Sequence, residues 1–221
     1  MSCVVFDVDG TLVDSVDLHA EAWRLAFEHF GKIVPFAMVR SQIGKGGDQL
    51  MPVFLSKSEL DRMGDALADY RSRIWKRDFI SRVRAFPGVR PLFERLRQSG
   101  KRIALASSAK GDELSIYEQI AEIGDLVDAR ATADDAQRSK PYPDIFQAAL
   151  AQLASAPSDT LAVGDTPYDA EAAVKAGIVT LGVLSGGFPE ADLRRAGCRE
   201  IHRDVADLLS HYDASLIAWP K

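Results

Sequence analysis

The chain has 221 residues, of which 47% are hydrophobic and 27% are charged, and its formal net charge is −5. This composition excludes a disordered or fibrous chain, and the acidic balance disfavours a general nucleic-acid binder. No apolar run approaches the ~20 residues that span a membrane, and the first residues lack the features of a signal peptide. Two cysteines, Cys3 and Cys198, have no paired spacing. We therefore expect a cytoplasmic protein with reduced thiols, and neither a nucleic-acid nor a membrane partner.

The first half of the chain is predicted to be one short strand followed by helices. The strand Cys3–Phe6 is apolar and β-branched, and a helix over about 17–30 ends at Gly31, a suitable C-terminal cap. This helix carries two apolar stripes, so we expect it to be contacted from two sides. Further helices are predicted over about 35–43, over about 49–55, and from the capping box Ser56-Lys57-Ser58-Glu59 to the break at Ala85-Phe86-Pro87-Gly88.

From Val89 onward, predicted helices and strands alternate, which is typical of βαβ units around a parallel sheet. The predicted strands are Arg102–Ala106, about 126–132, Thr160–Val163, Val179–Val183 and about 199–202. The predicted helices cover about 89–99, 112–123, 142–153, 167–176, 189–196 and 205–211.

One connection is too long for a simple crossover. A βαβ unit takes roughly 30 residues, whereas about 95 separate Phe6 from Arg102. The surplus has a helical pattern throughout and begins just after the carboxyl end of the first strand, where open α/β sheets bind ligands. We therefore predict a helical insertion, about Ser15 to Ala85, that covers the site as a lid.

Two aspartates follow the first strand in the segment Asp7-Val8-Asp9-Gly10-Thr11. Two carboxylates at a strand end can divide labour, because one can attack an electrophile while the other moves protons or helps to hold a metal. The alternative is a simple turn, since Asp and Gly favour turns.

Two further polar positions suit an anionic group. The pair Ser107-Ser108 closes a predicted strand beside the next helix, and its hydroxyls could hold a phosphate, although N-capping is the simpler interpretation. Lys140 is kept extended by Pro141 and could neutralise a phosphoryl group, or it could be an ordinary surface lysine.

Asp165 and Asp169 follow the predicted strand Thr160–Val163. Two acids at a strand end in a parallel sheet suit Mg²⁺, which prefers oxygen ligands and takes one or two carboxylates directly. For Asp169 the alternative is an acid in the first turn of a helix, where it favours the helix dipole.

The four clusters together resemble the motifs of the haloacid dehalogenase superfamily, in the branch of phosphatases with a helical cap. The motifs stand in order over nearly the whole chain: Asp-x-Asp-Gly-Thr at 7–11, a serine at 107, a lysine at 140 and Gly-Asp-x-x-x-Asp at 164–169. The resemblance implies an α/β fold with a Rossmann-like parallel sheet flanked by helices and an inserted α-helical cap. The core would comprise residues 1–14 and 86–221, and the cap 15–85.

The resemblance also implies a role for each motif. Asp7 would attack phosphorus, and Asp9 would protonate the leaving alcohol and then activate water. Ser107 and Lys140 would grip the phosphoryl oxygens. The Mg²⁺ ion would be held by Asp7, the Asp9 backbone carbonyl and Asp165, with Asp169 supporting these ligands from behind.

Substrate recognition is expected from the cap. By resemblance, Lys45 in the loop 44–48 would reach the substrate, and His19 and Trp23 match a His-x-x-x-Trp pattern of relatives such as β-phosphoglucomutase. The alternatives are a solvated loop lysine and packing inside the cap. The basic run 71–84 either faces an anionic substrate or is a solvated helix face. Residues 16–84 contain 12 Lys/Arg and 9 Asp/Glu, a net of +3, and the remainder contains 15 and 23, a net of −8.

Three functions fit this sequence. The first is a Mg²⁺-dependent phosphatase acting on a small phosphorylated metabolite, such as a sugar phosphate or phosphoglycolate. The second is a phosphomutase of the β-phosphoglucomutase kind, and the third is a non-catalytic sensor of a phosphorylated ligand. By resemblance, Asp9 favours phosphoryl over carbon–halogen chemistry, since dehalogenases of the superfamily lack it. We expect a monomer whose lid moves on hinges at 11–15 and 84–86.

Overall fold

The computed structural model describes residues 1–219 and contains a parallel sheet and a short antiparallel ribbon. The strands are β1 (Cys3–Phe6), β2 (Val13–Asp14), β3 (Arg84–Ala85), β4 (Arg102–Ala106), β5 (Ala129–Ala131), β6 (Thr160–Gly164), β7 (Val179–Val183) and β8 (Glu200–His202). Six of them form the parallel sheet in the order β5-β4-β1-β6-β7-β8, and β2 pairs with β3. This confirms the predicted α/β fold class.

Residues 1–219 contain ten α-helices, of which the first four form the insertion and the others flank the sheet. They are α1 (Val16–His29), α2 (Phe36–Arg40), α3 (Gly47–Phe54), α4 (Lys57–Ile74), α5 (Val89–Gln98), α6 (Gly111–Ala121), α7 (Asp144–Leu153), α8 (Pro167–Lys175), α9 (Glu190–Ala196) and α10 (Val205–Ser210). No helix within residues 1–219 is both long and apolar enough to cross a membrane.

The sheet is buried on both faces because successive side chains of a strand point in opposite directions. In β1, Val4 and Phe6 join a hydrophobic cluster on one side, whereas Cys3 and Val5 join a second cluster on the other. Strand β1 has β4 on one side and β6 on the other, and later strands extend outward from each. The connections diverge next to β1, so a crevice opens at its carboxyl end.

The helices α1 to α4 form the inserted cap, entered through β2 and left through β3. These two strands pair antiparallel, with Val13 opposite Ala85 and Asp14 opposite Arg84. Helix α1 contributes Ala22 to the main core cluster and Phe27 to a separate cluster inside the cap. The two stripes predicted for this helix therefore have two partners.

The long cap helix ends earlier than predicted. It begins at the predicted capping box, in which Ser56 accepts from the Glu59 N–H, but it ends at Ile74 rather than continuing to 85. A π-helical turn, Trp75–Phe79, and a short 3₁₀ turn follow. The π turn carries the buried Trp75, whose ring stacks on that of His19 with centroids 3.6 Å apart. Tertiary packing of a large aromatic side chain thus replaces the last turns of a regular helix.

Candidate active site

Three predicted site residues meet because their strands are neighbours. Asp7 follows β1, Ser107 follows β4 and Asp165 follows β6, and β1 is paired in parallel with both of the other strands. The carboxyl ends of parallel strands lie at one edge of the sheet, so chain segments more than 150 residues apart converge. Asp7 and Asp165 are buried, as is Ser107.

Lys140 is the central cation of this edge. Its side chain is fully buried, and Nζ lies 2.5 Å from Asp7 Oδ1 and 2.8 Å from Asp169 Oδ1. It also donates to the Ala106 carbonyl at 2.8 Å. Burial alone would lower the pKa of Lys140, but the charges of Asp169 and Asp7 raise it above its ordinary value. The lysine therefore stays charged and is not the surface lysine that the sequence left open.

Asp169 has two partners that fix its position. It closes a capping box at the start of α8, where Thr166 Oγ1 donates to Asp169 Oδ2 at 2.6 Å, and its other oxygen faces Lys140. The helix-start role and the site role, which the sequence presented as alternatives, are thus held by one side chain.

The aspartates also leave room for a divalent cation. Carboxylate oxygens of Asp7, Asp165 and Asp169 all lie within 4.8 Å of one another. Asp165 Oδ2 is buried and has no hydrogen-bond partner. A Cβ atom added at Gly10 would come within 2.3 Å of this oxygen, and one added at Gly186 would come within 1.7 Å. Only glycine fits at both positions. Three buried carboxylates beside one lysine form an oxygen-rich, negative donor set that suits Mg²⁺.

Burial and mutual repulsion perturb these acids strongly. Burial and then the charge of Asp169 raise the pKa of Asp7 to about 7, against the lowering effect of Lys140. Burial, followed by the charge of Asp7, raises the pKa of Asp165 well above its usual value. The Thr11 hydroxyl bridges the two carboxylates: it donates a hydrogen bond of 2.9 Å to Asp165 Oδ1 and lies 3.1 Å from Asp7 Oδ2. A further positive charge would favour the ionised form of both acids.

Asp9 lies in a different environment. Its Oδ1 accepts from the Ser15 hydroxyl at 2.6 Å and lies 2.8 Å from His19 Nε2. Arg71 Nη2 contacts the other ring nitrogen of His19. Because a guanidinium only donates, Nδ1 of His19 accepts and the ring proton stands on Nε2, where it is donated to Asp9.

The pKa of Asp9 is consequently shifted in the opposite direction. Burial would raise it, but the electrostatic attraction and hydrogen bond of the His19 Nε2–H, the Ser15 hydroxyl and the charge of Arg71 lower it below the ordinary value. Two carboxylates two residues apart thus differ in protonation behaviour. Such a separation of pKa values is typical of acid–base pairs with distinct roles.

A cavity of about 400 Å³ lies between the cap and the sheet. Asp7 and Asp9 line its floor, and the cap residues singled out from the sequence also line it, namely His19, Trp23 and Lys45. Lys45 Nζ donates to Gln42 Oε1 at 2.6 Å and lies 4.5 Å from the Tyr168 ring centroid. The same loop is therefore in contact with both the cap and the core.

Polar contacts hold the cap against the core. The Tyr168 hydroxyl donates to the Ser41 carbonyl at 2.7 Å, and the Ser139 N–H donates to Asp48 Oδ2 at 3.1 Å. Gly44 lies against the core as well, since a Cβ there would come within 2.6 Å of Thr166. The segment 44–48, which leads into α3, therefore covers part of the cavity.

Two predicted features differ in detail from the structure. The Ser107 hydroxyl accepts from the Ala109 N–H at 3.1 Å, and the serine on the cavity wall is Ser108, whose buried hydroxyl has no partner. Within the basic run 71–84, Arg71 lines the cavity, whereas the other basic residues are exposed. The basic run 71–84 is therefore a solvent-exposed face except at its first residue, Arg71.

Arg71 is a cavity residue that the sequence offered only as one member of the basic run 71–84, without distinguishing it from the others. Its guanidinium lies 5.3 Å from the ring centroids of both Trp23 and Trp75. A signal was present, because Arg71 lies four residues from the buried Leu67 and three from the buried Ile74, on the inward stripe of α4. A charged residue on an apolar stripe indicates a buried partner.

The fold and site together define an enzyme with an α/β fold, in which a cluster of buried aspartates lies at the carboxyl edge of a parallel sheet beneath a helical insertion. The chain belongs to the haloacid dehalogenase-like hydrolase family, whose model matches residues 4–183.

Individual relatives agree with this assignment. A phosphorylated carbohydrates phosphatase of Thermotoga maritima is 28% identical over 80% of this chain and 82% of its own length. A phosphoglycolate phosphatase of Nitrosospira multiformis is 31% identical over 91% of each chain. Among solved structures, a hydrolase from Pseudomonas syringae has a TM-score of 0.87 and 27% identity, covering 97% of this chain and 99% of that one.

Proposed function

We propose that this protein is a Mg²⁺-dependent phosphatase that hydrolyses a small phosphorylated metabolite through an aspartyl-phosphate. The observation that carries the proposal is the pair Asp7 and Asp9, which lie in opposite electrostatic environments on the floor of one cavity beneath the cap. The names of the two curated relatives, both phosphatases, support it.

The proposed reaction has two steps. An Asp7 oxygen bonds to phosphorus while the bond to the leaving oxygen breaks, and Asp9 gives its proton to the departing alcohol. Water then attacks phosphorus, the bond between phosphorus and the Asp7 oxygen breaks, and Asp9 takes one proton from the water, so inorganic phosphate leaves and Asp7 is again a free carboxylate. Asp9 is ionised in the present arrangement, and an entering phosphate dianion favours its protonated form because like charges disfavour ionisation.

The remaining polar groups position and neutralise the phosphoryl group. Lys140 balances the charge of Asp7, and the Ser107–Ser108 segment offers hydroxyls at the end of β4. Mg²⁺ would be held by Asp7, Asp165 and the Asp9 carbonyl, with Asp169 anchoring Lys140 beside them. When bound, the ion neutralises negative charge on the carboxylates and the phosphoryl oxygens.

The cap supplies the substrate contacts in this proposal. Trp23 offers a flat apolar surface, and Lys45 and Arg71 offer positive charge around a cavity whose size suits a sugar phosphate or phosphoglycolate. The lid comprises residues 15–85 and the core residues 1–14 and 86–221. The β2–β3 ribbon contains the proposed hinges. We further propose that the protein is cytoplasmic. We also propose that it is a monomer, since the lid must move.

A panel of phosphorylated metabolites, assayed for phosphate release with and without Mg²⁺, tests the proposal. We expect release from at least one substrate, dependence on Mg²⁺, and loss of turnover in Asp7→Asn. The matched control is Asp61→Asn, which changes an exposed aspartate on α4. Full activity of Asp7→Asn would show that the nucleophile is assigned wrongly.

A phosphomutase is the second candidate, because polar contacts hold the cap over the cavity, where a phosphorylated intermediate could be retained. The aspartyl-phosphate would then pass to a second hydroxyl of the substrate instead of to water. Incubation with a hexose 1-phosphate separates the two functions, since hydrolysis yields free phosphate and the mutase yields the 6-phosphate isomer. A sensor would give neither product and would bind the ligand unchanged.

A further inference from the structure

A cluster of imidazoles and carboxylates lies outside the active site, where β8 leads into α10. It consists of His202 at the end of β8, and Asp207 and His211 on and just after α10. His202 is buried, whereas the side chain of His211 is 61% exposed. Neither the proposed reaction nor the cap uses these residues, so their arrangement calls for its own explanation.

The spacing of the cluster matches that of ligands on one metal ion. His202 Nδ1 lies 3.3 Å from Asp207 Oδ2, and His211 Nδ1 lies 3.6 Å from Asp207 Oδ1. Both distances exceed the ~2.8 Å of a charge-assisted hydrogen bond. They are close to the ~3.3 Å that separates two ligands of a tetrahedral ion with bonds of about 2.0–2.1 Å.

Glu200 orients the buried imidazole. Glu200 Oε1 lies 2.5 Å from His202 Nε2, and its other oxygen accepts from the Leu216 N–H at 2.8 Å. The Nε2 proton of His202 is therefore directed to a fixed carboxylate, which leaves Nδ1 to face Asp207. Metal-binding histidines in proteins almost always donate their second ring N–H to such a carboxylate or to a carbonyl.

The other charged groups around the cluster permit a bound cation. Arg203 donates to Asp207 Oδ1 at 3.0 Å through its guanidinium and to Asp207 Oδ2 at 3.2 Å through its backbone N–H. The guanidinium contact is the one that a bound cation would replace, because the Arg203 side chain is 80% exposed. Burial would raise the pKa of Asp207, but hydrogen bonds from the backbone and then the side chain of Arg203 lower it, so the carboxylate is ionised at neutral pH. His211 Nδ1 is also 2.9 Å from the Asp207 carbonyl, a contact that metal binding would replace.

We propose that His202, Asp207 and His211 form a second metal site, which takes a divalent transition-metal ion of the Zn²⁺ class. Two imidazoles and one carboxylate suit such ions and do not suit Mg²⁺, which prefers oxygen ligands. Strand β8 is three strands from β1 in the sheet, about 14 Å at ordinary strand spacing, so this site is separate from the catalytic carboxylates.

The test measures Zn²⁺ binding by the full chain without a histidine tag, after chelation and in saturating Mg²⁺. A chromogenic chelator competes for Zn²⁺ and reports affinity. We expect a Kd of about 10 µM or tighter, weakened more than about 10-fold in His211→Ala and in Asp207→Asn. The control is His29→Ala, which removes an exposed histidine on α1 and should leave the affinity unchanged.

A spectroscopic readout identifies the ligands. Co²⁺ in place of Zn²⁺ should give the intense visible absorption of a tetrahedral imidazole site, and His211→Ala should remove it. Thermal unfolding without added metal checks that this variant folds, as expected for an exposed side chain. Binding weaker than about 100 µM, or equal binding by His211→Ala and His29→Ala, would overturn the proposal.

Discussion

Replacing Lys140 with methionine tests the electrostatic account of the active site most directly. The lysine side chain is fully buried, and Nζ contacts Asp7, Asp169 and the Ala106 carbonyl. Methionine has a similar length and apolar volume, so Lys140→Met removes the charge and leaves the packing nearly intact. The variant would hold the buried carboxylates without their internal cation.

The expected effect on stability is large. Removing one partner of a buried ion pair destabilises a protein by about 3–5 kcal/mol, because the remaining charge stays desolvated. For a chain of this size that corresponds to a fall in Tm of roughly 10 °C. The effect should depend on pH. Lys140 lowers the pKa of Asp7, which is nevertheless raised to about 7. At pH 8 the variant must either keep Asp7 ionised without a neighbouring cation or bind a proton to it, and both cost folding free energy. At pH 5.5 Asp7 already binds a proton, so the loss of Lys140 costs less.

Thermal unfolding by circular dichroism, at pH 5.5 and pH 8 without Mg²⁺, measures the effect. We expect a larger loss of Tm at pH 8, and loss of phosphate release of at least about 100-fold. The control is Lys175→Met on α8, whose lysine is 48% exposed and should change stability by less than about 0.5 kcal/mol. A Lys140→Met variant that unfolds within about 2 °C of the parent at both pH values would refute this reasoning.

Three further predictions concern the metal and the cap. Mg²⁺ should raise Tm more at pH 8 than at pH 5.5, because protons compete for carboxylates with raised pKa values, and calorimetry of Asp165→Asn should show no such rise. Lys45→Met should raise KM more than the control Arg62→Met, which removes an exposed positive charge on α4. Equal KM values for the two variants would contradict a substrate contact by Lys45. Arg71→Met should raise the pKa of Asp9 and shift the pH–rate profile, whereas Arg73→Met, an exposed neighbour, should leave the profile unchanged.

The sequence by itself determined the framework and the catalytic candidates. Hydrophobic periodicity and the breaks at glycine and proline are local features of the sequence. They therefore predicted the strands Arg102–Ala106 and Val179–Val183 with the observed bounds. The excess length before Arg102 predicted the insertion, and acids at strand ends predicted Asp7 and Asp165. Parallel pairing of the strands is then sufficient to bring such residues together, because the carboxyl ends of all parallel strands lie at one edge of the sheet.

The tertiary structure alone decided which partner each charged side chain has. Arg71 and Arg73 are alike in sequence, and only the packing of α4 against α1 turns one toward His19 and leaves the other exposed. The opposite pKa shifts of Asp7 and Asp9 also depend on the tertiary structure, because burial and the charge of Asp169 raise the pKa of Asp7, whereas His19 and Arg71 lower that of Asp9. Burial and Coulomb interactions depend on distances in space, which local sequence patterns do not specify.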